Sequence, residues 1–217
     1  MAASIHALYH RLFFNSQSGR SGGEVIWVSP AKIVFYTETE LAKSKGIFTG
    51  GHVWGGNWDL KLQPIVRHPT YRGLCEHFVR GVEWENTSLF GTPGFAYLKD
   101  ARNIQEKCRA RDALYQSIQQ KGILPSYEGN EDDPFNSGAV KNIIVLIGRS
   151  GRIIFAGRGW HRLCIAKILK LPSIPVEVVV RHRKWLRIRK RLASGAFSNL
   201  GPYKDRYSGH PDLNIDF

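Results

Sequence analysis

The chain has 217 residues, 42 % of them apolar and 23 % charged, the proportions of an ordinary globular protein with a real core. Its 31 Lys/Arg against 18 Asp/Glu leave a net charge of +13, which calls for an anionic partner: nucleic acid, a phosphorylated small molecule or an acidic surface. The longest apolar run, IIVLI at 143–147, is strand-sized, far below the roughly 18 residues of a membrane span.

In chain order, MAASIHALYHRLFF reads as an N-terminal helix, since it lacks the uninterrupted apolar stretch of a secretory signal. SQSGRSGGE is a flexible link and closes an N-terminal segment, 1–24. VIWV, a Ser-Pro turn and IVFYT follow, two extended pieces rich in β-branched and aromatic residues. Around HVWGGNWD, glycines packed among tryptophans predict a tight surface loop rather than a regular element. Tyr71, Leu74, Cys75 and Phe78 recur at helical spacing and predict a helix within 69–84, with Gly81 as its stop.

A longer amphipathic helix is predicted over 101–122, with Ile104, Cys108, Ala110, Leu114 and Ile118 inward and Gly122 just past its end. The acidic loop YEGNEDDP (127–134) separates it from KNIIVLIGRSGRIIFAG, a hairpin turning at Arg149–Gly151. That hairpin excludes a purely parallel sheet and predicts a mixed α/β domain. GRGWHRLCIAKILK then reads as a glycine turn and a helix from about Trp160, and IPVEVVV as a strand ending at Arg181. The remainder, 183–217, reads as a basic helix with Trp185, Ile188 and Leu192 inward, then an irregular tail. Cys75, Cys108 and Cys164 are odd in number and far apart, so no disulfide framework is expected and a reducing, cytoplasmic location fits. Cys75 and His77 read as neighbours on a packed helix, and no metal site is expected.

Two stretches carry candidate chemistry. If a strand delivers the chain into Gly157–Gly159, the first N–H groups of the next helix lack partners and favour an anion. Arg158, His161 and Arg162 add charge-assisted donors, while Gly157 and Gly159 let a ligand approach the backbone. The second stretch is the charge run. From Arg149 to Arg191 there are thirteen Lys/Arg against one acid, Glu177. On a helix, Arg181, Lys184, Arg187 and Arg191 cluster away from the apolar stripe, a face suited to tracking nucleic-acid phosphates without reading sequence.

Three segments in order, WVSPAKIVF, ALYQSIQQKGILP and RIIFAGRGWHRLCIAKILKLPSIPVEVVV, resemble the ParB/sulfiredoxin superfamily, the ParB-like nuclease domains. The likeness covers 25–36 and 113–182, and leaves 37–112 as a family-atypical insertion in a domain spanning 25–182. It implies a mixed sheet flanked by helices, an α/β (α+β) domain with a basic C-terminal helical extension. Gly159-Trp160-His161-Arg162 is similar to the Gly-Cys-His-Arg of sulfiredoxins, with Trp160 where the thiol would stand, so reductase chemistry is not implied. Against the Gly-Glu-Arg-Arg of ParB, Gly159 and Arg162 match, but the later Glu-Asn-x-x-Arg segment of the CTP site has no counterpart. Gly159, His161 and Arg162 are also similar to the motif of free-serine kinases of this fold, with Arg158 at the Asp position. The shared implication is a phosphate cradle at Gly157, Arg158, Gly159, His161 and Arg162. Its expected ligand is a nucleotide (ATP, ADP or CTP, with Mg²⁺) or a phosphorylated small molecule. The corresponding reaction would be phosphoryl transfer or NTP hydrolysis, with Asp59 and His161 as catalytic candidates, Glu83 or Glu85 as further acids, and Trp54–Asp59 as the opposite wall. DNA or RNA on the basic helix is the alternative.

Overall fold

The computed structural model describes residues 23–37, 50–90, 101–124, 142–194 and 206–213. The expected N-terminal helix and the acidic loop 127–134 lie outside the described residues. Seven strands form one mixed sheet: β1 (Glu24–Val28), β2 (Phe35–Tyr36), β3 (His52–Trp54), β4 (Gln63–Pro64), β5 (Ile143–Ile147), β6 (Ile153–Phe155) and β7 (Ile174–His182). Among the described residues four helices accompany them: α1 (Pro69–Arg80), α2 (Ala101–Lys121), α3 (Trp160–Ile168) and α4 (Arg183–Ala193). Gly81 and Gly122, both with φ 71°, end α1 and α2 in the left-handed conformation that only glycine adopts freely.

The long β7 is the spine. β5 runs parallel along one side of it. Its other edge is shared by β1, antiparallel over 174–178, and β3, parallel over 180–182. Beyond β5 follow β6, β2 and β4, with β6 joined to β5 by the expected hairpin. HVW was expected to be loop; it is strand β3, because β7 extends past the end of β1 and its unpaired N–H and C=O groups take the nearest chain. That pairing spans more than a hundred residues and leaves no local signal.

β5 and β7 are buried on both faces, which is why β5 reads as an unbroken apolar run and β7 as one interrupted by Glu177 before it reaches Arg181. Ile143, Val145 and Ile147 join the larger core with Leu163, Cys164 and Trp185, while Ile144 and Leu146 join a smaller one with Trp58 and Ile154. β7 begins the same way, with Ile174, Val176 and Val178 in the larger core. Then Val145 pairs with Val178 but Leu146 with Val180, so Val179 is an extra residue, a β-bulge. A one-residue slip exchanges the faces of everything after it. Val180 therefore enters the smaller core, Arg181 turns toward Trp185 and the tail, and His182 turns toward Trp58.

This overturns one expectation. Arg181 belongs to β7, not to the helix, and is 1 % exposed. Its guanidinium donates to Asp212 from Nε (2.9 Å) and Nη2, and to Glu24 Oε2 at 2.6 Å. The tail, expected to be irregular, forms a 3-10 turn at Pro211–Leu213 that carries Asp212 into the core. There Asp212 also accepts Trp185 Nε1–H at 2.6 Å.

Candidate functional site

The turn before α3 forms as expected. Gly159 is the N-cap with φ 93°, and a Cβ there would lie 3.0 Å from the Ile143 side chain, so both conformation and close packing require glycine. Gly157, Arg158, Gly159, His161 and Arg162 share this mouth by chain continuity. The structure adds what surrounds them. Trp160, the first residue of α3, stacks on His68 with centroids 3.7 Å apart and meets Tyr36 and Phe155 edge-on. It is an aromatic plug joining α3 to the start of α1.

His161 packs between helices, where Arg111 of α2 donates Nε–H to its Nε2 at 3.2 Å. Burial pushes the His161 pKa down to about 4, and the charges of Arg111 and His68 push the same way. The ring is thus neutral at pH 7, with its proton on Nδ1. Arg111 was missed in the sequence, although its signal was there: it sits three residues after Cys108 on the apolar stripe of α2.

A depressed histidine pKa has a fixed sign in stability. The unfolded chain takes up this proton near pH 6.5 and the folded chain only near 4. His161 therefore supports folding fully above about pH 6.5, and that support drains as the pH falls toward 4. Thermal denaturation between pH 7 and 5 should show a falling Tm, flattened in part by His161→Gln. His210, also held low by burial, acts in the same direction.

Asp59 lies elsewhere. It is 6 % exposed, its Oδ2 accepts the Arg149 backbone N–H at 2.7 Å, and both its oxygens accept the Arg149 guanidinium. Burial raises its pKa, but the bonds and charge of Arg149, with His182, outweigh that and hold the carboxyl below its usual value. Asp59 abuts Gly148 at the end of β5, whereas Gly159 abuts Ile143 at the start. About 16 Å of strand separates those two residues. The structure does not bring Asp59 to His161, and Trp54–Asp59 is not the opposite wall of the Gly159 turn. Glu83 and Glu85 are exposed beside the Trp84 turn, and Glu85 lines a separate cavity with Cys108 and Asp112.

What the Gly55–Asn57 loop does wall is a different cavity. β3, β5 and β7 all run in one direction, and the segments leaving their carboxyl ends converge. They enclose about 350 Å³ between Gly55–Asn57 after β3, Arg149 after β5, and His182–Lys184 with Arg187 where β7 enters α4. The carboxyl ends of parallel strands are where open α/β sheets hold ligands. His182 accepts Lys184 N–H at Nδ1 (3.0 Å) and donates from Nε2 to Gly56 O (3.1 Å), which fixes its tautomer and ties the loop to the start of α4. Arg149 Nη2 holds the same loop through Gly56 O (2.8 Å) and Asn57 Oδ1 (2.9 Å).

No family model, curated protein or solved structure matches the chain.

The charge around this cavity is uneven. Arg149 is neutralised by Asp59, but Arg183, Lys184 and Arg187 have no ion-pair partner among the described residues. Trp185 and Leu192 anchor α4 while Arg183, Lys184, Arg187, Lys190 and Arg191 face solvent. Of the four residues expected on this face, Lys184, Arg187 and Arg191 are there and Arg181 is not. No group of three His, Cys, Asp or Glu among the described residues is placed to hold a metal ion, and no described helix is long and apolar enough to cross a membrane.

Proposed function

We propose that this protein binds the phosphate backbone of nucleic acid through the outer face of α4, on a ParB/sulfiredoxin-like scaffold. The observation that carries the reading is the set of five exposed cations on α4 without a neutralising acid on the helix itself. A solvated helix face usually interleaves both signs, because like charges at i,i+4 repel. Arg183 and Arg187, then Arg187 and Arg191, stand at that spacing. Phosphates relieve the repulsion, and contacts of this kind position a protein without reading bases.

Fluorescence anisotropy with a labelled DNA or RNA oligomer tests it. Affinity should fall steeply with salt, with a log–log slope of about −3 to −4 if most of these side chains reach phosphates. Arg187→Gln with Arg191→Gln should make that slope shallower by about 2. No binding at low salt, or a slope indifferent to this pair, sinks the reading.

A second reading keeps a nucleotide or phosphorylated small molecule at the Gly157–Arg162 turn, with kinase- or NTPase-like chemistry as its corollary. Its support is the arrival of Arg111 beside His161, which adds a further cation to the turn. The reading is one of binding, since Asp59 is at the other end of the sheet. Thermal shifts with ATP, ADP and CTP, with and without Mg²⁺, should appear in the wild type and vanish in Arg162→Ala.

A further inference from the structure

We infer that the cavity at the carboxyl ends of β3, β5 and β7 is a binding site for a phosphate monoester. The inference deepens the nucleic-acid reading and rests on it only for one source of that group, a strand end.

Charge comes first. Three side chains of the cavity, Arg183, Lys184 and Arg187, are cations without an ion-pair partner among the described residues, and Arg149 contributes none of its own because Asp59 balances it. A monoester carries about −1.5 to −2 at pH 7, against −1 for an internal phosphodiester, so it matches the three far better. Guanidinium pairs also favour the planar, two-bond contact that phosphate oxygens accept.

The walls fit an anion as well. The carbonyl of Gly56, which would repel one, is already taken by donors from His182 and Arg149. Asn57 gives its Oδ1 to Arg149, and this leaves the Nδ2 donors uncommitted. Gly55 has no left-handed φ, so its backbone does not demand glycine. A Cβ at Gly55 would instead point at the Arg183 guanidinium carbon, 3.9 Å away. Glycine there keeps open the space in front of that guanidinium. The volume, about 350 Å³, suits a phosphoryl group with an attached sugar, near the lower bound of small-molecule sites.

The test compares a 5′-phosphorylated oligonucleotide with its 5′-hydroxyl twin by anisotropy, and titrates AMP and inorganic phosphate by calorimetry. The phosphorylated strand should bind about tenfold tighter than its twin. Gly55→Leu fills the cavity without changing charge and should erase that ratio while leaving the hydroxyl strand unaffected. Arg183→Gln adds no bulk to the loop and should erase the ratio too. Lys190→Gln with Arg191→Gln should weaken both strands and keep the ratio. If AMP or phosphate binds and Gly55→Leu abolishes it, while the two strands bind equally or not at all, the site stands with a free phosphorylated molecule as its source; absence of strand binding would then remove the nucleic-acid reading alone. The inference is overturned if neither AMP, phosphate nor the 5′-phosphate is preferred, or if the preference survives both Gly55→Leu and Arg183→Gln.

Discussion

Replacing Asp212 with alanine is expected to destabilise the protein by about 3–5 kcal/mol, the cost of stranding a buried guanidinium. Arg181 is 1 % exposed and cannot regain water without opening the larger core. Burial works against its charge, but Asp212 first and Glu24 second more than offset that and raise its pKa. A guanidinium is too basic to lose its proton even without Asp212, so Arg181 stays a cation in the variant and the penalty falls on the fold. Trp185 Nε1–H loses its acceptor in the same substitution, adding an unsatisfied buried donor. Urea denaturation should show a lower midpoint with an unchanged m-value. Glu24→Gln should cost no more than about 1 kcal/mol, because its carboxylate is a quarter exposed and Asp212 remains. Arg181→Met with Asp212→Leu should recover most of the loss, as apolar pairs replacing buried ion pairs do. A loss below about 1 kcal/mol in Asp212→Ala would mean that the tail does not hold this charge.

The same network explains which parts of the fold were legible in the sequence. Gly81 and Gly122 announced the ends of their helices because a left-handed cap is a local demand. The hairpin at Arg149–Gly151, the start of α3 near Trp160, and the anchoring of α4 by Trp185 and Leu192 were local too. The inward turn of Arg181 is not legible because the strand is apolar on both faces around Glu177, so no alternation reveals the bulge at Val179. Its partner Asp212 is 31 residues on, in a stretch whose turn residues suggested irregular packing. The candidate site followed the same rule. The Gly157–Arg162 turn was visible as a motif, whereas the cavity is assembled from three strand ends that only tertiary pairing brings together. GGNWD was noticed for its glycines and its acid, but nothing near it in sequence told that Asp59 serves Arg149, 90 residues away.

That Asp59–Arg149 pair carries the second large effect: Arg149→Met should lower stability at pH 7 and also abolish the phosphate preference of the cavity. The stability loss comes from Asp59, whose side chain is 3 % exposed and whose carboxylate would be left without its cation. In the wild type the net effect of burial and Arg149 is a lowered carboxyl pKa, so the pair stabilises fully above about pH 4 and is lost as the pH falls through the folded value. In the variant the guanidinium bonds and charge are gone, while the Arg149 backbone N–H and His182 remain, so the pKa rises relative to the wild type. Asp59 then takes up a proton on mild acidification, and the penalty shrinks. The gap in stability between wild type and Arg149→Met is therefore widest near neutrality and narrows as the pH falls, the opposite of a simple loss of packing. Asp59→Asn in the Arg149→Met background should restore part of the stability at pH 7, since an amide costs less to bury than a charge. It should not restore the phosphate preference. The Gly55–Asn57 loop would still lack the two bonds from Arg149 Nη2 to Gly56 O and Asn57 Oδ1, with only His182 left to hold it. A double variant that folds well and has lost the tenfold ratio would separate the two duties of Arg149, neutralising Asp59 and shaping the cavity.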